Sequence, residues 1–591
     1  MPNIAKISRL ALCLATAASA PSPVIGGSPP VRDGLPTPQA CEAYGYRAAR
    51  IEEDRGGSNG PSVPLRRMRP VGKSSAPQAS RHVAMEQAAR DGPGYAMPAQ
   101  PPPPMVTRYP ANPVPTDTER YPHAVNNPIH QVAQDPVSTL SADVDTASYA
   151  NVRRFLNDGQ MPPSDAVRVE EMVNYFDYGY AAPTDRNVPF KSTVAVTASP
   201  WSTGHKIIHI GLQGFDIPRA EQPPLNLVFL IDTSGSMSSE DKLPLAQKAM
   251  NLLIDQLRPQ DTVSMVAYAG SAGAVLGPTD GRQKLKMRCA LGALQSGGST
   301  AGGQGLALAY GLARENFDPK AVNRVVLMTD GDFNVGVSDP ETLKDFIVEK
   351  RKTGVYLSVY GFGRGNYNDT LMQALAQNGN GTAGYIDSLT EARKTFRDDF
   401  AGSAFPIAND VKIQVEFNPR TVSEYRLIGY ETRLLNREDF NNDQVDAGEV
   451  GSGTSVTALY EITPAGAKPS VDPLRYTSAR PENAPANVGE YAFLKIRYKL
   501  PGQALSRLID RNIGPADSTS GFDQAPESTR WAMSVAAFGQ KLRHDPWISD
   551  SFGWRQIADL AQGARGQDRF GTRAEFVQLV RAADGVKSLN E

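Results

Sequence analysis

The stretch "LVFLIDTSGSM", residues 227–237, decides how this chain folds. Five apolar residues lead up to Asp232, and the hydroxyl residues Ser234 and Ser236 then stand on either side of Gly235. An apolar run of this length that ends in small polar residues predicts a buried strand followed by a turn. The turn would bring three oxygen-bearing side chains to one end of that strand.

Residues 225–404 repeat this pattern of apolar strands, with helices between them. The strand candidates are "LNLVFLI", "TVSMVAYAG", "NRVVLMT", "VYLSVYGF" and "AGYID"; segments with helical spacing, such as "LPLAQKAMNLLIDQL", separate them. Nearly continuous apolar strands alternating with helices predict a doubly wound, mainly parallel α/β sheet covered on both faces, a Rossmann-like architecture. Ligands of such sheets bind at the carboxyl ends of the strands.

Two further loops at predicted strand ends carry oxygen donors. Thr300 lies in the glycine-rich loop "SGGSTAGGQGL" before a helix, and Asp330 follows the strand of "VVLMTDGD". Together with the first loop they offer three hydroxyls and two carboxylates, without sulfur or imidazole. Such a donor set suits a hard cation, with Mg²⁺ first and Mn²⁺ or Ca²⁺ second. The alternative is that each loop only caps a helix or forms a turn, as Ser, Thr and Asp often do.

These three elements resemble the metal-ion-dependent adhesion site of von Willebrand factor type A domains. D-x-S-x-S after a strand, the G-x-T loop and a later T-D-G occur in the order typical of that family. The resemblance implies that Ser234, Ser236 and Thr300 bind the metal through hydroxyls, with Ser299 as the alternative loop donor. It also implies that Asp232 and Asp330 act mainly through bound water. An open coordination position would then accept an Asp or Glu side chain of a partner protein.

The regions on either side of this domain predict further folded parts. The stretch "REDFNNDQVDAGEVGSGTSVTALYEI" resembles a family of uncharacterised bacterial proteins in which the type A domain lies between an N-terminal extension and a C-terminal domain of unknown function. Periodicity predicts a small α+β region at 116–222 and an antiparallel β-sandwich at 406–510. The type A domain would span 223–405, and a helical region 511–591.

The N-terminus predicts export. Residues 1–20 carry Lys6 and Arg9, then an apolar run and small residues, which is the layout of a secretory signal peptide. Cys13 leaves lipoprotein attachment as the alternative. Residues 21–115 hold 19 of the 47 prolines and few aliphatic residues, which predicts a disordered tether. We therefore expect a periplasmic or cell-envelope protein.

Cysteine and charge content narrow the possible classes. Only Cys41 and Cys289 remain after the leader, and Cys41 falls within the predicted tether, so we expect no structural disulfide. With 61 basic and 63 acidic residues the chain has no charge bias toward nucleic acid. After the leader, no apolar run is long enough to span a membrane.

The predicted folded regions carry no catalytic motif. The sequence contains no H-E-x-x-H, and G-x-S-x-G occurs only as "GGSNG" at 56–60 within the predicted tether, so we expect a protein-binding module rather than an enzyme. An envelope structural or assembly factor, in which the metal mainly stabilises the fold, remains the alternative.

Other motifs are better explained as local structure. The segment "GFGRG" at 361–365 follows a strand but has the wrong glycine spacing for a dinucleotide site. "DFNNDQVDAGEV", from Asp439 to Val450, begins like a calcium loop but lacks the glycine and the final glutamate, so a polar hairpin loop is the better interpretation and nonstandard calcium binding the alternative.

Overall fold

The structure, a computed structural model, describes most of the chain after residue 117 and a short piece before it. The described residues are 36, 38–46, 118–142, 145–300, 302–331, 333, 340–445, 447–472 and 489–590. The predicted signal peptide and most of the predicted tether lie outside the described residues.

Seventeen strands occur in the described part of the chain. They are β1 (His130–Gln131), β2 (Val137–Ser141), β3 (Phe190–Ala198), β4 (Lys206–Gly214), β5 (Leu225–Asp232), β6 (Thr262–Tyr268), β7 (Ala272–Asp280), β8 (Val322–Thr329), β9 (Val355–Phe362), β10 (Ala383–Ile386), β11 (Pro406–Phe417), β12 (Val422–Ile428), β13 (Leu434–Leu435), β14 (Gly448–Gly451), β15 (Ser455–Pro464), β16 (Ala492–Lys499) and β17 (Ser506–Ile513).

Thirteen α-helices occur in the same described residues. They are α1 (Pro38–Glu42), α2 (Ala147–Asn157), α3 (Val169–Val173), α4 (Leu243–Gln256), α5 (Lys284–Gly292), α6 (Gly302–Glu315), α7 (Pro340–Lys352), α8 (Asp369–Asn378), α9 (Leu389–Arg393), α10 (Phe400–Ala404), α11 (Glu527–Leu542), α12 (Trp554–Gly563) and α13 (Thr572–Asn590). No helix in the described ranges is long and apolar enough to cross a membrane.

The central domain is built on a six-stranded sheet, as its alternating strands and helices predicted. Its strand order is β10-β9-β8-β5-β6-β7, and all neighbours are parallel except β7, which runs antiparallel to β6. Every residue of β5 and of β8 is buried, because helices cover both faces of the sheet. The mainly parallel α/β fold is thereby confirmed, and β5 and β8 lie side by side at its centre.

The flanking regions form one β-sandwich around this domain. One sheet has the order β1-β12-β15-β4-β3 and the other β13-β2-β11-β16-β17, so both combine strands from before and after the central domain. Their inner faces share a core that includes Ile210, Ile413 and Val456. The predicted regions 116–222 and 406–510 therefore form one sandwich. Strands of one region pair with strands of the other, and the apolar faces of the resulting sheets are buried against each other.

A helical layer covers the outer face of the first sandwich sheet. Helices α2 and α3 from the N-terminal side pack with α11, α12 and α13 around Trp531 and Phe576. The sheet contributes Ile207 and Leu459 to this core. The predicted C-terminal helices are thus present, but they complete a layer that begins near residue 147.

The expectation of no disulfide is wrong. Cys41, in α1, is bonded to Cys289, in α5, across 248 residues. The hydroxyl of Tyr46 donates a hydrogen bond to the carbonyl of Val275 on the edge strand β7, at 2.9 Å. Residues 38–46 therefore dock on the central domain. The low aliphatic content of the 21–115 segment gave no indication of this short docked piece, because its contacts come from one cysteine and one tyrosine.

Candidate metal centre

The first loop of the centre begins where β5 ends. Asp232 is fully buried, and its Oδ1 accepts a hydrogen bond from the backbone N–H of Ser234 at 2.9 Å. The hydroxyl oxygens of Ser234 and Ser236 lie 3.0 Å apart, with Ser234 buried and Ser236 exposed. The loop therefore has a buried carboxylate at its base and a hydroxyl at its rim.

Backbone hydrogen bonds hold the glycine-rich loop against the first one. The N–H of Gly235 donates to the carbonyl of Gly298 at 3.0 Å, and the N–H of Gly297 donates to the carbonyl of Thr233 at 2.8 Å. Gly298 has φ +85°, in the left-handed region that favours glycine. The loop follows α5 and not a strand, contrary to the prediction, but these contacts bring Thr300, which is half-buried, to the same end of the sheet.

Ser299 has a different environment from its neighbour Thr300. It is exposed, and a Cβ atom built on Gly270 would lie 3.5 Å from its hydroxyl oxygen. Ser299 therefore faces the turn after β6.

The third loop follows β8 and shares hydrogen bonds with the first. Thr329, the last residue of β8, donates its hydroxyl to Asp232 Oδ2 at 3.1 Å, and Tyr268 at the end of β6 donates to the same oxygen at 3.1 Å. Asp330, the next residue, is fully buried. Three neighbouring strands therefore position Asp232, and a second carboxylate lies beside it.

The electrostatics of these carboxylates favour a bound cation. The pKa of Asp232 is raised to about 6, chiefly by burial and in addition by the negative charge of Asp330, while hydrogen bonds from Ser234 and Thr329 act in the opposite direction. A carboxylate that is costly to ionise in a buried site gains most from a nearby positive charge.

A lysine that the sequence analysis did not select completes the centre. Lys242, the residue before α4, is almost fully buried, and its Nζ donates to Asp330 Oδ2 at 3.0 Å and to Asn366 Oδ1 at 2.9 Å. Asn366 belongs to the loop after β9, which makes that loop a fourth contributor. A single lysine at the start of a helix has no spacing signature, so nothing in the sequence distinguished it.

Two glycines make room for this lysine and its acceptor. Gly363 has φ +73°, and a Cβ atom added there would overlap the aliphatic part of Lys242. Gly331 has φ +114°, and a Cβ atom there would overlap the backbone of Asn366. The segment "GFGRG" is thus a loop that closes around Lys242.

The N-terminal region clamps the same loop from outside. The N–H of Thr118 donates to the carbonyl of Gly365 at 2.9 Å, and the carboxylate of Glu119 accepts from the N–H of Gly365 at 2.9 Å. Arg154 of α2 holds Glu119 with hydrogen bonds of 2.9 and 2.7 Å. Residues 118 and 119 therefore lie against the loop that supplies Asn366.

The residues present fit a hard divalent cation. Among the described residues, no group of three or more His, Cys, Asp or Glu could hold a metal, so a site here depends on hydroxyls together with two carboxylates. Ser234 and Ser236 would supply neutral oxygens, and the buried pair Asp232 and Asp330 would supply negative charge beneath them. A cation bound there would act as a Lewis acid toward a carboxylate approaching from solvent.

The calcium-loop candidate uses its side chains elsewhere. The carboxylate of Asp439 accepts hydrogen bonds from the backbone and side chain of Asn436, and Asp443 pairs with Arg497 at 3.0 Å. Asp446 lies outside the described residues. These contacts are typical of a polar loop that leads into β14.

His209 is a structural residue. It lies buried between the Tyr180 hydroxyl and the Thr529 hydroxyl, both at 2.7 Å, and burial lowers its pKa to about 3. With both ring nitrogens in contact with hydroxyl groups, this imidazole is part of the contact between the sandwich and the helical layer.

Known families match most of this chain. The von Willebrand factor type A domain family matches residues 226–398, the family described as "Uncharacterized protein YfbK, C-terminal" matches 402–586, and one described as von Willebrand factor matches 115–209. The chain is 44% identical over 483 residues to the uncharacterized protein YfbK of Escherichia coli, which covers 80% of this chain and 82% of that protein.

More distant similarities are confined to parts of the chain or of the relative. Human inter-alpha-trypsin inhibitor heavy chain H4 is 26% identical over 203 residues, 33% of this chain and 22% of that protein. The solved von Willebrand factor type A structure from Catenulispora acidiphila has 18% identity and a TM-score of 0.38, covering 69% of this chain and 91% of that one.

Proposed function

This chain belongs to the family of the Escherichia coli protein YfbK, which is built around a von Willebrand factor type A domain, and from that premise we propose a metal-dependent protein-binding function. Domains of this type mediate protein–protein interaction and are generally not enzymes. In our proposal Asp232, Ser234, Ser236, Thr300 and Asp330 hold Mg²⁺, with Mn²⁺ or Ca²⁺ as substitutes. The metal captures an Asp or Glu side chain of a partner protein.

The layered arrangement of the donors carries this proposal. Asp232 and Asp330 are fully buried, whereas Ser236 is exposed above them, so a cation would be anchored from below and reachable from solvent. Neutral hydroxyl ligands leave much of the cation's charge uncompensated. An anionic side chain is the ligand that such a cation attracts most strongly.

We further propose that the protein works in the cell envelope. The disulfide between Cys41 and Cys289 supports this location, because disulfides persist mainly in oxidising compartments outside the cytosol. Export through the leader at 1–20 would supply that environment, with lipid attachment at Cys13 as the alternative form of anchoring.

Metal-dependent capture tests the function. We expect proteins that co-purify with the full chain from an envelope fraction in Mg²⁺ to be lost in EDTA and lost from the Ser236→Ala variant. Ser236 is exposed, so this change removes one ligand with little effect on folding. Asp345→Ala, at an exposed position of α7, serves as the matched control. Equal capture with and without metal would refute the proposal.

The construction of the molecule favours one alternative, an envelope assembly factor in which the metal mainly stabilises the fold. The N- and C-terminal regions together form a sandwich and a helical layer large enough to make their own contacts. In that case EDTA would lower the melting temperature of the chain while its co-purifying proteins stayed bound.

A further inference from the structure

Lys242 places a fixed positive charge against the metal centre. Its ammonium group is hydrogen-bonded to Asp330 and Asn366, and its side chain is only 9% exposed. We infer that Lys242 sets the charge of this centre so that a divalent cation and a partner's carboxylate bind together, each strengthening the other. This inference rests on the proposed function and concerns how its two ligands are coupled.

The surroundings of Lys242 indicate a built position rather than a chance surface contact. Gly363, at φ +73°, leaves space for the aliphatic part of the lysine, and Asn366 supplies its second acceptor. The clamp of Thr118 and Glu119 on Gly365 holds that loop in place. The ammonium group is therefore held near Asp330 by two segments that are distant in sequence from it, residues 363–366 and 118–119.

The charges then favour joint binding of cation and carboxylate. Among the described residues of the centre, the ionised Asp232 and Asp330 together with Lys242 give a single net negative charge before a metal binds, and that charge repels an approaching carboxylate. A divalent cation turns that net charge to a single positive one, and one carboxylate from a partner then neutralises it. Without the lysine, the two aspartates alone would neutralise the cation, and a carboxylate would add unbalanced charge. Buried charges interact strongly because water screens them little.

Two effects of Lys242 follow from this charge balance. The lysine weakens cation binding in the absence of a carboxylate, since like charges repel. It also means that a bound carboxylate increases the affinity of the centre for the cation. A residue that only oriented Asp330 would have the opposite first effect, because its removal would weaken metal binding.

Mn²⁺ binding to the full chain tests the inference directly. Free Mn²⁺ would be measured by electron paramagnetic resonance after chelator treatment, with and without sodium acetate at constant ionic strength and with correction for Mn²⁺–acetate complexes. We expect acetate to tighten Mn²⁺ binding to the native chain at least about threefold. Lys242→Met should bind Mn²⁺ about tenfold more tightly without acetate and lose most of the acetate effect.

The control variants separate the charge from the fold. Lys248→Met changes an exposed lysine of the same helix, α4, and should behave like the native chain. Lys242→Gln repeats the neutral substitution with a polar side chain, and melting curves of each variant in Mn²⁺ report folding. The acetate titration of the native chain needs no variant and tests the coupling even if both substitutions unfold the protein.

The outcomes distinguish failure of the inference from failure of the proposed function. If folded Lys242→Met binds Mn²⁺ equally or more weakly, or if acetate does not tighten binding to the native chain, the inference is overturned while a metal site remains. If the folded native chain binds no Mn²⁺ in either buffer, the proposed function is overturned as well.

Discussion

At the scale of single residues, Asp232 links the fold to the metal centre. Its carboxylate accepts hydrogen bonds from Ser234, Thr329 and Tyr268, so the ends of β5, β6 and β8 are all held by one buried group. That group is costly to ionise, because burial and Asp330 raise its pKa. Asp232 is therefore both a structural acceptor and the ligand whose charge a cation would compensate.

The raised pKa of Asp232 gives metal binding a pH dependence. The pKa of about 6 lies above the ordinary aspartate value of 3.8, so in the metal-free protein the protonated carboxyl favours folding. This stabilisation is fully present below the ordinary value and is lost as pH rises through about 6. A cation needs the ionised form. We expect Mn²⁺ affinity to fall about tenfold between pH 7 and pH 5, measured by paramagnetic resonance. Asp232→Asn should bind weakly without this slope, and a flat native profile would contradict the assignment.

The glycines around Lys242 offer a matched pair of substitutions. Gly363 and Gly365 both have left-handed φ, +73° and +90°, but an added Cβ overlaps Lys242 only at Gly363. We expect Gly365→Ala to lower the free energy of unfolding by about 1 kcal/mol, from backbone strain alone, and Gly363→Ala by about 3 kcal/mol. Urea unfolding of the metal-free chain measures both, and equal losses would exclude a packing role for Gly363.

At the scale of elements, residues 38–46 of the predicted tether dock on the central domain. Helix α1 is bonded to α5 through Cys41 and Cys289, and Tyr46 reaches the edge strand β7. The strands and helices of the central domain followed from their apolar periods, which depend only on nearby sequence. The docking of α1 could not be predicted in this way, because its partner lies more than two hundred residues away.

The disulfide should stabilise the chain measurably. A covalent link across 248 residues removes much conformational freedom from the unfolded state, so we expect Cys41→Ser to lose about 3 kcal/mol of unfolding free energy. Thermal melts in reducing and non-reducing buffer measure this. Reduction should lower the melting temperature of the native chain toward that of the variant and leave the variant unchanged. A native melt insensitive to reductant would show that the bond does not contribute.

At the scale of the whole molecule, the central domain is inserted into a second fold. The strand before it, β4, and the strand after it, β11, belong to opposite sheets of one sandwich, and Gly214 at the end of β4 lies against Ile407 at the start of β11. Strand periodicity in the flanks was predictable from sequence, but the pairing of strands across the insertion was not. The alternation of apolar and polar residues predicts which face of a strand is buried, but it does not predict which strand pairs with it.

The candidate centre was predictable to a similar degree. The order of Asp232, Ser234 and Ser236, then Thr300, then Asp330 could be recognised from the sequence. The first loop and Asp330 follow β5 and β8, whose carboxyl ends share one edge, whereas Thr300 lies between α5 and α6. Lys242 and Asn366 could not, because their roles depend on the path of the loop after β9 and on the clamp formed by residues 118–120.

A buried ion-pair cluster joins the central domain to the helical layer. Arg153 of α2 pairs with Asp387 and Glu391 near the end of the central domain and, at 3.2 Å, with Glu575 of α13. Its side chain is 2% exposed, so its removal would leave buried carboxylates without their main counter-charge. The guanidinium group therefore helps to hold the central domain in its orientation against the helical layer.

This cluster predicts a large difference between two arginines. We expect Arg153→Met to lower the free energy of unfolding by about 3 to 5 kcal/mol, because the buried carboxylates would lose the positive charge that compensates them. Arg186→Met is the control, since the pair of Arg186 with Glu221 is 57% and 56% exposed and should contribute less than about 1 kcal/mol. Urea unfolding followed by tryptophan fluorescence measures both, with Trp531 in the helical layer as one reporter. If the two variants lost similar stability, the central domain would not depend on Arg153 for its attachment.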